Sequence, residues 1–352
     1  MNTYFLEQLI SSPNTSPANT LPANTPPIDL SPCVLTIGNF DGVHLGHQAM
    51  LAQVRDIAQA QNLESAVMIF EPQPREFFAP ATAPARLTNL AEKQALLAEY
   101  GVQTLIVAGF DTDFRSLSAQ AFADILAMRL NVKALVLGDD FRFGHDRTGD
   151  SQFLRHYGLH VTNLHTITDS SHEATRISST RVRDLLISGD IEAANTLLGR
   201  DYAITGLVVS GDKIGRTIDF PTANIDLKRL KPALHGIFAV DVVSIDENGD
   251  VIANGLTASA TNGKTGVAGL RAHSLFGTAN VGIRPSVDKT HNWRLEVHFP
   301  ELQADLYGLT LQVRFLHYLH GERRYDGLEA LKTGIHNDVA ELLEWRANQP
   351  TH

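Results

Sequence analysis

The rhythm of polar and apolar positions changes twice along the chain. Residues 11 to 32 are almost wholly Ser, Pro, Asn, Thr and Ala, with Pro-Ala-Asn-Thr at Pro17 and again at Pro22. Such a stretch cannot bury enough apolar surface to offset its ordering entropy, and a flexible tail over residues 1–32 is expected. From Cys33 onward short apolar, β-rich runs alternate with segments of helical period: Val34 to Ile37, Gln48 to Gln61, Ser65 to Phe70, Glu92 to Tyr100, Thr104 to Ala108, Ala119 to Leu130 and Ala134 to Leu137. That alternation predicts a doubly wound α/β domain with a parallel sheet, and the unbroken apolar strands are those of a sheet covered on both faces. Beyond Asp201 the helices thin out and strands follow one another: Ala203 to Val209, Gly236 to Ile245, Asp250 to Leu256, Trp293 to Phe299 and Leu309 to Leu316. Successive strands predict an antiparallel sandwich or barrel. On one of them Trp293, Leu295, Val297 and Phe299 share a face, and Arg294, Glu296 and His298 the other. Gly327 to Asn348 reads as a closing amphipathic helix, and Asp190 to Leu198, stopped by Gly199, as the junction helix.

Composition agrees with two domains: the chain has 352 residues, against roughly 150 per domain. The boundaries read as 33–188, a junction at 189–200, and 201–352. A formal charge of −10 argues against binding nucleic acid through the overall field. No apolar run approaches the roughly 18 residues of a membrane span. The N-terminus carries Glu7 and no basic leader, and the single cysteine, Cys33, allows no intrachain disulfide. The cytoplasm is the default compartment.

The strongest chemical signal is Gly38-Asn39-Phe40-Asp41-Gly42-Val43-His44-Leu45-Gly46-His47, which follows the first strand and opens the first helix. Free amides at a helix N-terminus attract phosphate, glycines let the backbone approach, and histidines three apart can bind phosphate oxygens. Ser178, Ser179 and Thr180, followed by Arg181 and Arg183, begin another helix where hydroxyls and guanidinium groups can converge on phosphate. Asp139 and Asp140 follow a buried strand, and Phe77, Phe141 and Phe143 could stack a planar ring. In the second half Gly206, Gly211 and Gly215, with Arg216, run into Phe220-Pro221-Thr222-Ala223-Asn224. Spaced glycines allow a loop to fold over phosphates, and Thr222 and Asn224 offer hard oxygens suited to magnesium.

These blocks, in this order from about Cys33 to about Trp345, resemble the bacterial-type bifunctional riboflavin kinase/FAD synthetases. The likeness extends to Phe70-Glu71-Pro72, Arg86-Leu87-Thr88, Gly138 to Gly144, Asn280 to Ser286 and Asp305 to Gly308. It implies a nucleotidyltransferase domain of Rossmann type, then a riboflavin kinase-like antiparallel β-barrel with a C-terminal helix. Its implied chemistry is ATP-dependent conversion of riboflavin to FMN, then adenylylation of FMN to FAD with release of pyrophosphate. ATP is the co-substrate, Mg2+ the metal, and no nucleic acid or membrane partner is expected. Carried onto this chain, the adenylyltransferase site is His44, His47, Gly38, Phe40, Asp41, Gly46, Ser178, Ser179, Thr180 and Arg181, with flavin at Phe77, Asp139, Asp140, Phe141 and Phe143. The kinase site is Glu296 as base, Thr222 and Asn224 at the metal, and Gly206, Gly211, Gly215, Arg216 and Pro221 at the nucleotide.

The kinase half departs from the family in three places. Asp219 replaces a glycine, His320 an arginine, and Asn254 to Ser274 reads as a longer, mobile connection. These motivate a runner-up, an FMN adenylyltransferase whose second domain only binds flavin or acts as a scaffold. A non-catalytic flavin or nucleotide sensor is the reading from a different class.

Overall fold

The computed structural model describes residues 1–10, 30–164, 176–210, 220, 222–284 and 292–349. The chain folds as two compact units, the first of residues 1–84 and 93–178, the second of 85–92 and 179–352.

The first unit is a six-stranded parallel sheet. Its strands are β1 (Asn2–Phe5), β2 (Cys33–Ile37), β3 (Glu64–Glu71), β4 (Thr104–Gly109), β5 (Val132–Gly138) and β6 (His160–Leu164), in the order β1-β4-β3-β2-β5-β6. The helices are α1 (Leu6–Ile10), α2 (Leu45–Gln61), α3 (Pro74–Phe78), α4 (Leu90–Glu99), whose first three residues belong to the second unit, α5 (Thr112–Ser116), α6 (Ala119–Asp124) and α7 (Ser151–Tyr157). Val34, Leu35, Ala66 to Ile69, Leu105, Ile106 and Leu135 to Leu137 are buried from both sides, as their unbroken apolar runs require. The strand order reverses between β2 and β5, and at such a crevice, beyond the carboxyl ends of the strands, doubly wound sheets bind ligands.

Residues 2–10 depart from the expected tail. β1 pairs in parallel with β4 from Asn2↔Thr104 to Phe5↔Val107, Leu6 is buried, and Glu7 accepts the Gly109 amide at 2.9 Å. An edge strand exposes backbone groups that another segment can satisfy, and here the chain's own N-terminus does so. Of the expected tail, residues 11–29 lie outside the described residues.

The second unit closes six strands into a barrel, β11-β12-β8-β7-β14-β9. They are β7 (Tyr202–Val209), β8 (Thr222–Ile225), β9 (Gly236–Ile245), β11 (Leu275–Arg284), β12 (Asn292–His298) and β14 (Thr310–His320), with β10 (Ala260–Thr265) and β13 (Leu302–Ala304) pairing separately. Sandwich or barrel is thereby decided for barrel. Its helices are α8 (Ser179–Ser188), α9 (Ile191–Leu198), α10 (Gly255–Ala258) and α11 (Leu328–Ala347), and Leu342 of α11 is buried against Ala239, Phe276 and Leu316. Three expectations change. Asp250 to Leu256 forms no strand: Val251 makes one isolated bridge to Ile245 before α10 begins. Residues 254–274 carry α10 and β10, and Ser274 donates to buried Asp241 at 2.9 Å, so they are not simply a loop. Residues 85–92 and 179–188 pack with the second unit, although the boundary expected at 188 would leave them in the first domain.

Candidate active sites

At the reversal of strand order, the turn from β2 into α2 is tightly built. Phe40, Gly42 and Val43 all have positive φ, at 47°, 79° and 41°. For a β-branched residue such as Val43 that backbone is strained, and strain of this kind persists where surroundings over-determine it. Val43 is buried, its amide donates to the Phe40 carbonyl at 3.3 Å, and its carbonyl accepts Gln48 Nε2 at 2.9 Å. His44 caps α2: its Nδ1 accepts the His47 amide at 3.3 Å, and the two rings stack with centroids 3.7 Å apart. Phe40 packs on His47 at 4.9 Å. A methyl at Gly46 would come within 3.2 Å of the His44 ring and 3.6 Å of the Ile177 carbonyl, and one at Gly38 within 3.3 Å of the Phe40 ring. Asp41 and His44 are buried, so the motif forms a rigid turn at the positive end of α2, suited to phosphate. The nearness of the Ile177 carbonyl to the space over Gly46 puts this turn beside the stretch that leads into Ser178. Ser179, Thr180 and Arg181 form the first turn of α8, in the second unit.

The flavin candidates divide. Asp139 and Asp140 are exposed just past β5, at the same crevice, with Asp140 Oδ2 3.4 Å from Arg176. Phe77 is half-buried in an aromatic group with Phe78 and Phe110, at centroid distances of 5.4 and 5.6 Å. Phe143 does not fit a ring-stacking role: it is buried in the core against Phe122 and Phe153, and its ring fills the space over Gly149. Phe141 is partly buried, stacks on Phe143 at 5.7 Å and packs against the same core. Phe78 and Phe110, which no motif in the sequence singles out, complete the aromatic group around Phe77.

In the barrel the register aligns the kinase candidates. Asn224 of β8 pairs with Glu296 of β12, and Glu296 with Asn280 of β11. Thr222 pairs with His298, one row along on the same face. Glu296 is half-buried, with Oε1 3.6 Å from Arg294 Nη1. The two rows together combine a carboxylate, two amides, a hydroxyl and an imidazole on one face of the barrel. Gly206 serves packing: it is buried within β7, and a methyl there would collide with the Asp226 carbonyl. Gly211, Gly215, Arg216, Asp219 and Pro221 lie outside the described residues. His320 is largely buried, with Nε2 2.8 Å from Asp338 Oδ1 and Nδ1 2.8 Å from the Gly321 carbonyl. The ring thus lies between two oxygens, where an arginine would present more donors.

Comparison with known proteins finds a family for each half of the chain. Residues 27–181 match the FAD synthetase family model and residues 198–346 the riboflavin kinase model. The bifunctional riboflavin kinase/FMN adenylyltransferase of Escherichia coli K12 is 42% identical, over 89% of this chain and 92% of its own length. That of Pseudomonas fluorescens is 43% identical, over 88% and 91%. A solved structure from Streptococcus pneumoniae, described as a macrolide-efflux protein, is 27% identical with a TM-score of 0.70, covering 89% of this chain and 95% of that one. Among the described residues no helix is long and apolar enough to cross a membrane. The chain belongs to the bifunctional riboflavin kinase/FMN adenylyltransferase family.

Proposed function

We propose that the residues assembled above carry the two reactions of this family, riboflavin phosphorylation on the barrel wall and FMN adenylylation at the histidine turn. In the first, riboflavin and ATP give FMN and ADP. Glu296 accepts the 5′-hydroxyl proton as the oxygen attacks the γ-phosphorus. The observation that carries this reading is the register that sets Glu296 directly opposite Asn224, with Thr222 on the same face. Thr222 and Asn224 offer hard oxygens and few of them, which fits Mg2+, an ion that keeps several waters and takes its remaining ligands from phosphate. Bound there it would neutralise charge on the phosphates.

In the second reaction the FMN phosphate attacks the α-phosphorus of ATP, and pyrophosphate leaves. No covalent enzyme intermediate is needed. His44, His47 and the α2 amides hold and neutralise the phosphates, and Ser178 supplies a further donor. Asp139, Asp140 and Phe77 are the flavin contacts this reading retains. ATP as co-substrate favours the cytoplasm as the place of both reactions.

The test is a time course with riboflavin, ATP and Mg2+, separating riboflavin, FMN and FAD by chromatography, beside a reaction started from FMN. FMN followed by FAD supports both assignments. FAD from FMN with none from riboflavin would overturn the kinase reading and leave the adenylyltransferase alone.

A further inference from the structure

Glu92 lies in the part of the sequence matched by the FAD synthetase model, yet its side chain is built into the barrel unit. The chain enters that unit at Ala85 and leaves it after Glu92. Both carboxylate oxygens are occupied. They take Arg229 Nη2 at 2.5 and 2.6 Å, Oε1 accepts the Thr205 amide at 2.7 Å, and Oε2 accepts the Asn89 amide at 2.8 Å. The Arg229 side chain is fully buried and donates further to the Leu87 carbonyl at 3.2 Å and the Tyr202 hydroxyl at 3.3 Å. A buried pair of this kind adds little net stability over apolar packing, but losing one partner strands a charge, so it specifies geometry more than it adds energy.

The geometry it specifies is local to the kinase candidates. Thr205 belongs to β7 and Arg229 to the turn leaving β8. Between them the backbone just past β8 packs close to β7, where a methyl on Gly206 would collide with the Asp226 carbonyl. Among the described residues the ladder joining β7 to β8 is short, the pairs Val208↔Ile225 and Val209↔Asn224 continued by the Asp226 amide donating to the Leu207 carbonyl at 3.0 Å, and the Glu92 contacts extend it. We propose that Glu92 is a positioning residue for riboflavin phosphorylation, clamping the end of β8 to β7 and so holding Asn224 opposite Glu296. This rests on the assignment of Asn224 and Glu296 to phosphorylation made above.

The test uses the full chain with Glu92→Gln, which removes the charge at constant size, and Glu92→Asp, which keeps it. Phosphorylation of riboflavin, adenylylation of added FMN, MgATP affinity by calorimetry and the thermal midpoint are measured for each. Because displacing a reacting group by about 1 Å can cost on the order of 100-fold, Glu92→Gln should lose about ten-fold or more in kinase kcat/KM. Adenylylation of FMN should stay within about two-fold, one of two MgATP affinities should fall, and Glu92→Asp should recover part of the loss. Equal loss of both activities in proportion to the folded fraction, or unchanged kinase turnover, would overturn the proposal. If Glu92→Gln does not fold, Glu92→Asp and Arg229→Lys must still lower phosphorylation more than adenylylation. A wild-type chain without kinase turnover would overturn the functional reading instead, and the clamp would then stand or fall on whether one MgATP affinity drops in Glu92→Gln.

Discussion

Asn224 and Glu296 stand directly opposite each other on the neighbouring antiparallel strands β8 and β12, and Asn280 continues their row on β11. Residues so paired project from one face with Cβ atoms about 5 Å apart. A carboxylate and an amide from chain positions 72 residues apart (296 − 224) thus share one wall without depending on a loop.

Replacing Glu296 by Gln keeps the shape of the row and removes the proposed proton acceptor. Riboflavin phosphorylation should fall about 100-fold or more, the usual contribution of a positioned base. FAD formation from added FMN should be unchanged. Chromatography of both reactions checks this, and undiminished phosphorylation would remove Glu296 from the role of base.

His44 caps α2 and is proposed to bind phosphate, and substitution can separate the two. His44→Ala loses the cap on the His47 amide, costing about 1 kcal/mol, together with the imidazole. His44→Asn can restore a capping oxygen but not the ring. Both should abolish adenylylation while sparing phosphorylation, and Asn should recover the stability measured in urea. Activity retained in His44→Asn would mean that the cap alone matters.

Asp241 gives stability a pH dependence of predictable sign. Burial raises its carboxyl above the ordinary 3.8, against the opposing hydrogen bonds from Ser274 and the Leu270 amide and the charges of Arg271 and Arg314. The folded state therefore holds this proton more tightly than the unfolded one. Its contribution is fully present below the ordinary value and is lost as pH rises through the raised value. Asp241→Asn should flatten the stability profile over that interval, as followed by urea denaturation in a pH series. An unchanged slope would count against Asp241 as its source.

Gly206→Ala tests a packing role against a phosphate role. Collision with the Asp226 carbonyl should cost about 1–3 kcal/mol, the usual cost of overpacking. The loss should appear in the thermal midpoint without any ligand. A fully stable variant with weakened ATP binding would return Gly206 to the nucleotide loop.

The Cys33 thiol is pushed up to about 12, chiefly by burial and then by Glu64. Because the thiolate is the reactive form, Cys33 should resist alkylation at pH 8 in the native chain. It should react promptly in denaturant. Rapid native labelling, read by mass spectrometry, would show that β2 opens.

Much of this was legible because it repeats locally. The apolar runs of β2 to β5 identified a covered parallel sheet, and the histidine turn announced itself by glycines between a strand and a helix. Other features carry no local signal. Phe143 reads like its neighbour Phe141 as a ring to stack a ligand, and only its contacts with Phe122 and Phe153 show it to be core. β11, with Asn280 among small residues, has no strict alternation to mark it as a strand. Residues 2–10 look too short to matter until β4 is seen to offer them an open edge.

By itself, then, the order of side chains determined the succession of a parallel α/β unit and an antiparallel β unit, and marked the β2–α2 turn as the candidate for phosphate binding. Those properties depend on periodicity and on neighbours a few residues apart. The tertiary structure alone decided that Glu296 meets Asn224, that Gly206 is needed for close packing and that Glu92 is paired with Arg229. Each depends on a register or a burial set by residues distant in the chain, and nothing in a local pattern encodes which distant partner will arrive.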